Sequence, residues 1–104
     1  MSESYTRVVE SGQVSDEGSV AAKVAGKPVL ICRSGGVLYA VANRCSHAEE
    51  PLACGRIRRG WIACPVHGAR FDLETGEPIN PPATSPIATY PVREVDGWVE
   101  VAVE

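Results

Sequence analysis

The residues best equipped for chemistry are two cysteines and two histidines near the middle of the chain: Cys45-Ser46-His47, then sixteen residues, then Cys64-Pro65-Val66-His67. Each of two short segments offers one thiolate and one imidazole, and together they use both histidines in the sequence. Taken singly, a histidine is usually a surface or satisfied core residue and a cysteine a small buried hydrophobe. Four such donors in two matched pairs point instead to one shared metal centre. Side chains this close in sequence converge on a metal only where the backbone turns tightly, and Pro65 and Gly68 suit such a turn. A Cys-His nucleophile fits less well, because it needs a base oriented by a third group, and two symmetrical pairs offer no asymmetry of role.

The donor set leaves two metals open. Tetrahedral zinc accepts two thiolates and two imidazoles, but its structural sites usually open with C-x₂₋₄-C and place the histidines as a separate pair. Here thiolate and imidazole alternate along the chain. Alternation suits a two-iron cluster in which one iron takes both thiolates and the other both imidazoles.

The elements that must hold these loops read as strands. Apolar residues recur in short bursts bounded by Gly, Pro, Ser or Asp, and no dozen residues keep helical spacing, so the fold class is all-β. Val20–Val24 and Val29–Cys32 flank a corner at Gly26-Lys27-Pro28, and Ser34-Gly35-Gly36 turns the chain into Val37–Ala42. At the other end, Ile87–Val92 and Trp98–Val103 are expected to form a hairpin through Asp96-Gly97. Between them, from about 43 to 82, a proline-rich segment carries the donors, with short strand candidates at Gly60–Ala63 and Arg70–Leu73 and a turn at Thr75-Gly76. Loops on a rigid scaffold are where binding residues concentrate, so this segment is the candidate site.

Composition narrows the function classes. The 104 residues suffice for one domain and one core. With 44% hydrophobic and 22% charged residues, wholesale disorder is not expected. A net charge of -3 lacks the positive field of a general nucleic-acid binder. Residues 1–7 hold no apolar run of a signal peptide, and no window approaches the roughly 18 apolar residues of a spanning helix. The expectation is a cytoplasmic protein without membrane contact, whose four cysteines serve as thiols or metal ligands rather than as a disulfide framework.

With these residues in view, Cys45-x-His47-x₁₆-Cys64-x₂-His67, and Cys64-Pro-Val-His-Gly68 in particular, resembles the Rieske [2Fe–2S] motif. The likeness extends to the Phe71-Asp72 strand, the Thr75-Gly76 turn and the closing Asp96-Gly97 hairpin, and so covers most of the chain. It implies a single domain over 1–104 built from three small antiparallel sheets, with a cluster-binding subdomain at about 43–82 inserted in a β base. It also implies that Cys45 and Cys64 bind the inner iron and His47 and His67 the outer, solvent-facing one. Respiratory and photosynthetic members of the family carry an N-terminal anchor and a disulfide between the cluster loops. The sequence shows no such anchor, has Val66 where the second-loop cysteine of that bridge would stand, and places Cys54 too late in the first loop to match its partner. Those members also place a hydroxyl after the loop glycine and a tyrosine two positions on, where this chain has Ala69 and Phe71. Hydrogen bonds to cluster sulfur stabilise the reduced state, so their absence implies a midpoint at the lower end of the Rieske range.

Oxygenase α-subunits are not matched, for they need a second histidine-bearing iron site and no histidine is left over. The resemblance therefore implies a free-standing ferredoxin of a bacterial aromatic-ring-hydroxylating dioxygenase. Such a protein is a one-electron carrier, not itself an enzyme, taking electrons from a flavin-containing, NAD(P)H-dependent reductase and passing them to a terminal oxygenase. It would act as a monomer that docks transiently near His47 and His67. Alternatives are a Rieske-like small subunit of a larger reductase, such as assimilatory nitrite reductase, and a zinc-stabilised interaction module. Cys32 and Cys54 read as structural, Trp61 and Trp98 as sheet packing, and Pro81-Pro82 as a cover over the cluster or a rigid connector. Glu49 and Glu50, with Arg56, Arg58 and Arg59, are candidates for orienting partners by charge.

Overall fold

Residues 4–45, 51–66, 68–79 and 85–103 are described by the computed structural model. They form ten strands: β1 Thr6–Glu10, β2 Gly18–Val24, β3 Lys27–Ser34, β4 Val37–Ala42, β5 Ile57–Arg58, β6 Trp61–Ala63, β7 Arg70–Asp72, β8 Thr89–Tyr90, β9 Val92–Val95 and β10 Trp98–Val101. Three antiparallel sheets result, ordered β1-β10-β9, β2-β3-β4-β8 and β5-β6-β7. The all-β, three-sheet expectation holds.

Four of the hairpins close through two residues of positive φ: Ala25-Gly26, Gly35-Gly36, Arg59-Gly60 and Asp96-Gly97. Positive φ at both central positions gives the turn whose twist matches that of paired strands, and glycine at the second position takes it without steric cost. The first corner is thus Ala25-Gly26 rather than Gly26-Lys27-Pro28, and Lys27 and Pro28 already pair in β3 with Val24 and Lys23.

The four-stranded sheet is the middle layer, and its third strand serves two cores. Val29 and Ile31 on one face of β3 join Val14, Val24, Ala40, Val99 and Val101. Leu30 and Cys32 on the other face join Val41, Cys45, Ile62, Cys64 and Phe71. Period-2 alternation assigns successive residues to opposite faces, so a run buried throughout, as Val29–Cys32 is, marks a strand covered on both sides. Half-buried Arg33, near the end of β3, ties that strand to the segment joining β1 and β2: Nε donates to the Val14 carbonyl (2.7 Å), and Nη2 to the Ser11 carbonyl (3.1 Å) and hydroxyl (2.8 Å).

One expected strand is two. Ile87–Val92 breaks at Pro91, which has no N–H to give a ladder: Thr89-Tyr90 pairs with β4, and Val92 begins the strand that pairs with β10 in the other sheet. The closing hairpin therefore joins Val92–Val95 to Trp98–Val101, with Val95 opposite Trp98. Strands β1 and β5 were not expected, since Val8-Val9 is only a two-residue apolar run and β5 has two residues in all.

Candidate metal centre

The two cysteines of the motif stand at the ends of strands that share a core. Cys45 follows β4 by three residues and Cys64 directly follows β6. Both are buried, and both belong to the cluster of Leu52, Ile62, Ala69, Phe71 and Leu73. Neither is in a disulfide; all four cysteines of the chain are free.

The loops around them are closed by the backbone. At the second loop, Cys64 N donates to the Ala69 carbonyl (2.7 Å) and Gly68 N to the Cys64 carbonyl (2.9 Å), so the chain leaves and returns at one point. Gly68 takes φ +73 to make the return, a conformation that L side chains adopt only with strain. Between these anchors Pro65 and Val66 project into solvent, Val66 being 56% exposed.

The first loop is closed by a side chain that sequence reasoning missed. Asn43 Oδ1 accepts hydrogen bonds from Leu52 N and Ala53 N, both at 2.9 Å, while Asn43 N donates to the Pro28 carbonyl (3.1 Å). One amide thereby joins the start of the loop to its end and both to β3. The only signal in the sequence is an asparagine at the edge of a loop, a residue type that commonly bonds nearby backbone.

His47 and His67 lie outside the described residues, as do Glu49, Glu50, Pro81 and Pro82. Among the described residues no three His, Cys, Asp or Glu side chains converge. The structure thus brings together the sulfur half of the expected donor set.

The remaining sulfur atoms separate cleanly. Cys32 is wholly buried in the same core as the motif cysteines, and burial pushes its thiol from 9.0 up to about 12, so at neutral pH it is a packed hydrophobe. Cys54, expected as structural, is exposed at a positive φ of 74° and packs in no core. Trp61 and Trp98 are half-buried on their sheets as expected, each under an arginine: Arg70 stands 5.0 Å from the Trp61 ring and Arg7 5.0 Å from that of Trp98.

The donor chemistry fits an iron–sulfur group. Two reduced thiols, shielded from water on an apolar floor and carried by two loops of fixed closure, are what the inner iron of a two-thiolate, two-imidazole cluster requires. Comparison with known proteins decides the matter: the Rieske [2Fe-2S] domain matches residues 4–91.

The chain belongs to the Rieske [2Fe–2S] family. Its cofactor is accordingly a Rieske-type [2Fe–2S] cluster, and the zinc alternative falls. The chain is 43% identical over 88 residues to the anthranilate 1,2-dioxygenase ferredoxin subunit of Burkholderia cepacia, covering 84% of this chain and 82% of that one. The ferredoxin of carbazole 1,9a-dioxygenase from Nocardioides aromaticivorans IC177 superposes with a TM-score of 0.92 at 34% identity, over 97% of this chain and 99% of that one. A ferredoxin seen in complex with the oxygenase of carbazole 1,9a-dioxygenase gives 0.89 at 27% identity, over 97% and 94%. A nitrite reductase small subunit shares the fold alone, at 16% identity. No helix of the described residues is long and apolar enough to cross a membrane.

Proposed function

We propose that this Rieske protein is a one-electron carrier of an aromatic-ring-hydroxylating dioxygenase system, receiving electrons from a flavin-containing, NAD(P)H-dependent reductase and delivering them to a terminal oxygenase. The observation that carries this reading is the mutual coverage with a free-standing dioxygenase ferredoxin, 97% of one chain and 99% of the other. The nitrite reductase alternative loses its support at 16% identity.

When bound, the cluster supplies one reversible electron and no bond chemistry of its own. What the chain adds is ligation, shielding and access. Cys45 and Cys64, on the apolar floor, would hold one iron of the cluster, and His47 and His67 would hold the other. The segment at about 43–82 acts as a cluster-binding subdomain on the β base. Ala69 and Phe71, both fully buried beside the cysteines, offer no side-chain donor to sulfur, which favours a midpoint at the low end of the Rieske range of roughly -150 to +300 mV. Exposed Pro65 and Val66, which directly follow Cys64 in the second loop, would give a partner a desolvatable contact near the cluster. Docking there is transient, the carrier is a monomer, and it works in the cytoplasm.

Reconstitution tests the reading. Reductase, NADH or NADPH, this chain with its cluster and a ring-hydroxylating oxygenase are mixed, and hydroxylated product is followed. Product should form with the chain and stop without it, and His47→Ala or His67→Ala should abolish it. Turnover that is indifferent to the chain refutes the proposal.

A further inference from the structure

The strongest feature outside the cluster loops is a row of arginines beside them. Arg56, Arg58 and Arg59 are exposed, while Ile57 between them is buried in the cluster-side core. Strand alternation explains the pattern: in β5, the edge strand of its sheet, Ile57 turns inward and Arg58 outward, and Arg56 stands exposed immediately before the strand. The turn residue Arg59 extends the row. With Glu17, Gly55 and Ile57 the three line an open groove of about 510 Å³.

This row starts close to the cluster. Ala63 N donates to the Arg56 carbonyl (2.9 Å), and Ala63 is the residue before Cys64. At roughly 3.3 Å per residue, Arg59 is about 10 Å further along the hairpin. Three of the ten Lys and Arg residues of a chain with net charge -3 thus stand within four consecutive positions, next to a cysteine of the centre.

The groove's own carboxylate does not neutralise them. Glu17 Oε2 accepts from the Ser34 hydroxyl (3.0 Å) and from Gly35 N (3.3 Å), and among the described residues no ion pair joins it to the arginines. A small polyanion is poorly served, because the groove is open and all three guanidinium-bearing residues are exposed, and among the described residues no buried polar side chain lines it. Guanidinium groups are suited to bidentate recognition of protein carboxylates and are enriched at protein interfaces.

We propose that Arg56, Arg58 and Arg59 form a docking ledge for a carboxylate-rich surface on the redox partner of the cluster, steering that partner toward the exposed second loop. The proposal rests on the carrier reading above and adds the partner's chemistry and the side from which it approaches.

The test uses the cluster-loaded protein in wild-type form, as R56Q/R58Q/R59Q and as R56E/R58E/R59E. The second-order rate constants for reduction by the reductase and for oxidation by the oxygenase are measured at ionic strengths of about 0.01 M and 1 M, where the screening length is about 30 Å and 3 Å. Steering by charge changes association by about 10- to 1000-fold. For the glutamate variant at least one of the two constants should therefore fall about tenfold or more at low salt, with the glutamine variant between. The difference should close to about twofold at high salt, with visible spectrum and iron content unchanged. Both constants within about twofold of wild type at low salt overturn the ledge. So does saturable binding of inorganic pyrophosphate to wild type that the variants lose while their rate constants stay unchanged, since the groove is then a small-anion site. A wild-type chain that transfers no electron to any ring-hydroxylating oxygenase refutes the carrier reading itself, and the ledge with it.

Discussion

A single methyl group at Gly55 should dislodge the loop that carries Cys64. A Cβ at this position would lie 2.2 Å from the Ala63 carbonyl oxygen and 2.8 Å from that of Leu52. Ordinary van der Waals separation demands that the first atom retreat by roughly 1 Å. Neither is free to do so, because the Leu52 carbonyl accepts Gly55 N (2.9 Å) and Ala63 N is held by Arg56 (2.9 Å). Overpacking of a closed core costs about 1–3 kcal/mol and loss of one backbone hydrogen bond about 1 kcal/mol more, so Gly55→Ala should cost about 3 kcal/mol. Gly68→Ala is the control. Its φ of +73 imposes roughly 1–2 kcal/mol of left-handed strain, but among the described residues nothing lies within 4 Å of the new Cβ.

For a domain of this size 1 kcal/mol is worth about 4–8 °C. Thermal loss of the visible cluster absorption, scanned at one rate for all variants, should therefore shift down by about 15 °C or more in Gly55→Ala and by roughly half that in Gly68→Ala. Because Ala63 adjoins Cys64, Gly55→Ala should also purify with less iron per chain than wild type. If Gly55→Ala is no more heat-sensitive than Gly68→Ala and carries as much iron as wild type, the close backbone approach does not position the ligand and the reasoning is wrong.

Other perturbations follow from the same structure. Phe71→Tyr places a hydroxyl within the core that holds Cys45 and Cys64, and a sulfur-directed hydrogen bond stronger by about 1 kcal/mol in the reduced state raises the one-electron midpoint by about 40 mV; voltammetry showing no rise counts against the low-potential argument. Ser34→Ala leaves Gly60 N without its acceptor (2.9 Å) and Glu17 without one donor (3.0 Å), which should destabilise the protein by about 1–3 kcal/mol in denaturant titrations. The Cys32 thiol, raised from 9.0 to about 12 when folded, favours the folded state fully below pH 9 and progressively less as pH rises toward 12. From pH 8 to 10 wild type should lose about 1.4 kcal/mol more than Cys32→Ala, and equal losses in urea unfolding would show that the buried thiol is not responsible.

The sulfur half of the site was legible because it rests on local chemistry. Two thiolates and two imidazoles at short fixed spacings are a ligand pattern before they are a structure, and the donor loop needs its glycine at 68 for a reason confined to one residue's φ. The Asp96-Gly97 and Gly35-Gly36 turns were readable on the same ground. Asn43 was not: its amide acts on Leu52 and Ala53, nine and ten residues away, and nothing local distinguishes it from any other loop asparagine. Nor was Gly55, whose lack of a side chain matters only because the Ala63 carbonyl comes to rest against it.

Residue order alone was sufficient for the β class, for the Gly35-Gly36 and Asp96-Gly97 turns and for proposing the four donors, since each depends on contacts or dihedral preferences within a few residues. Folding decided which strands share a sheet, that β1 at one end of the chain pairs with β10 at the other, and that Pro91 sends neighbouring residues into different sheets. It also decided that β3 serves two cores and that three arginines face solvent along the hairpin that leads to Cys64. Those outcomes are set by burial and pairing between segments far apart in the chain, where the free energy belongs to the surfaces brought together and not to either segment before they meet.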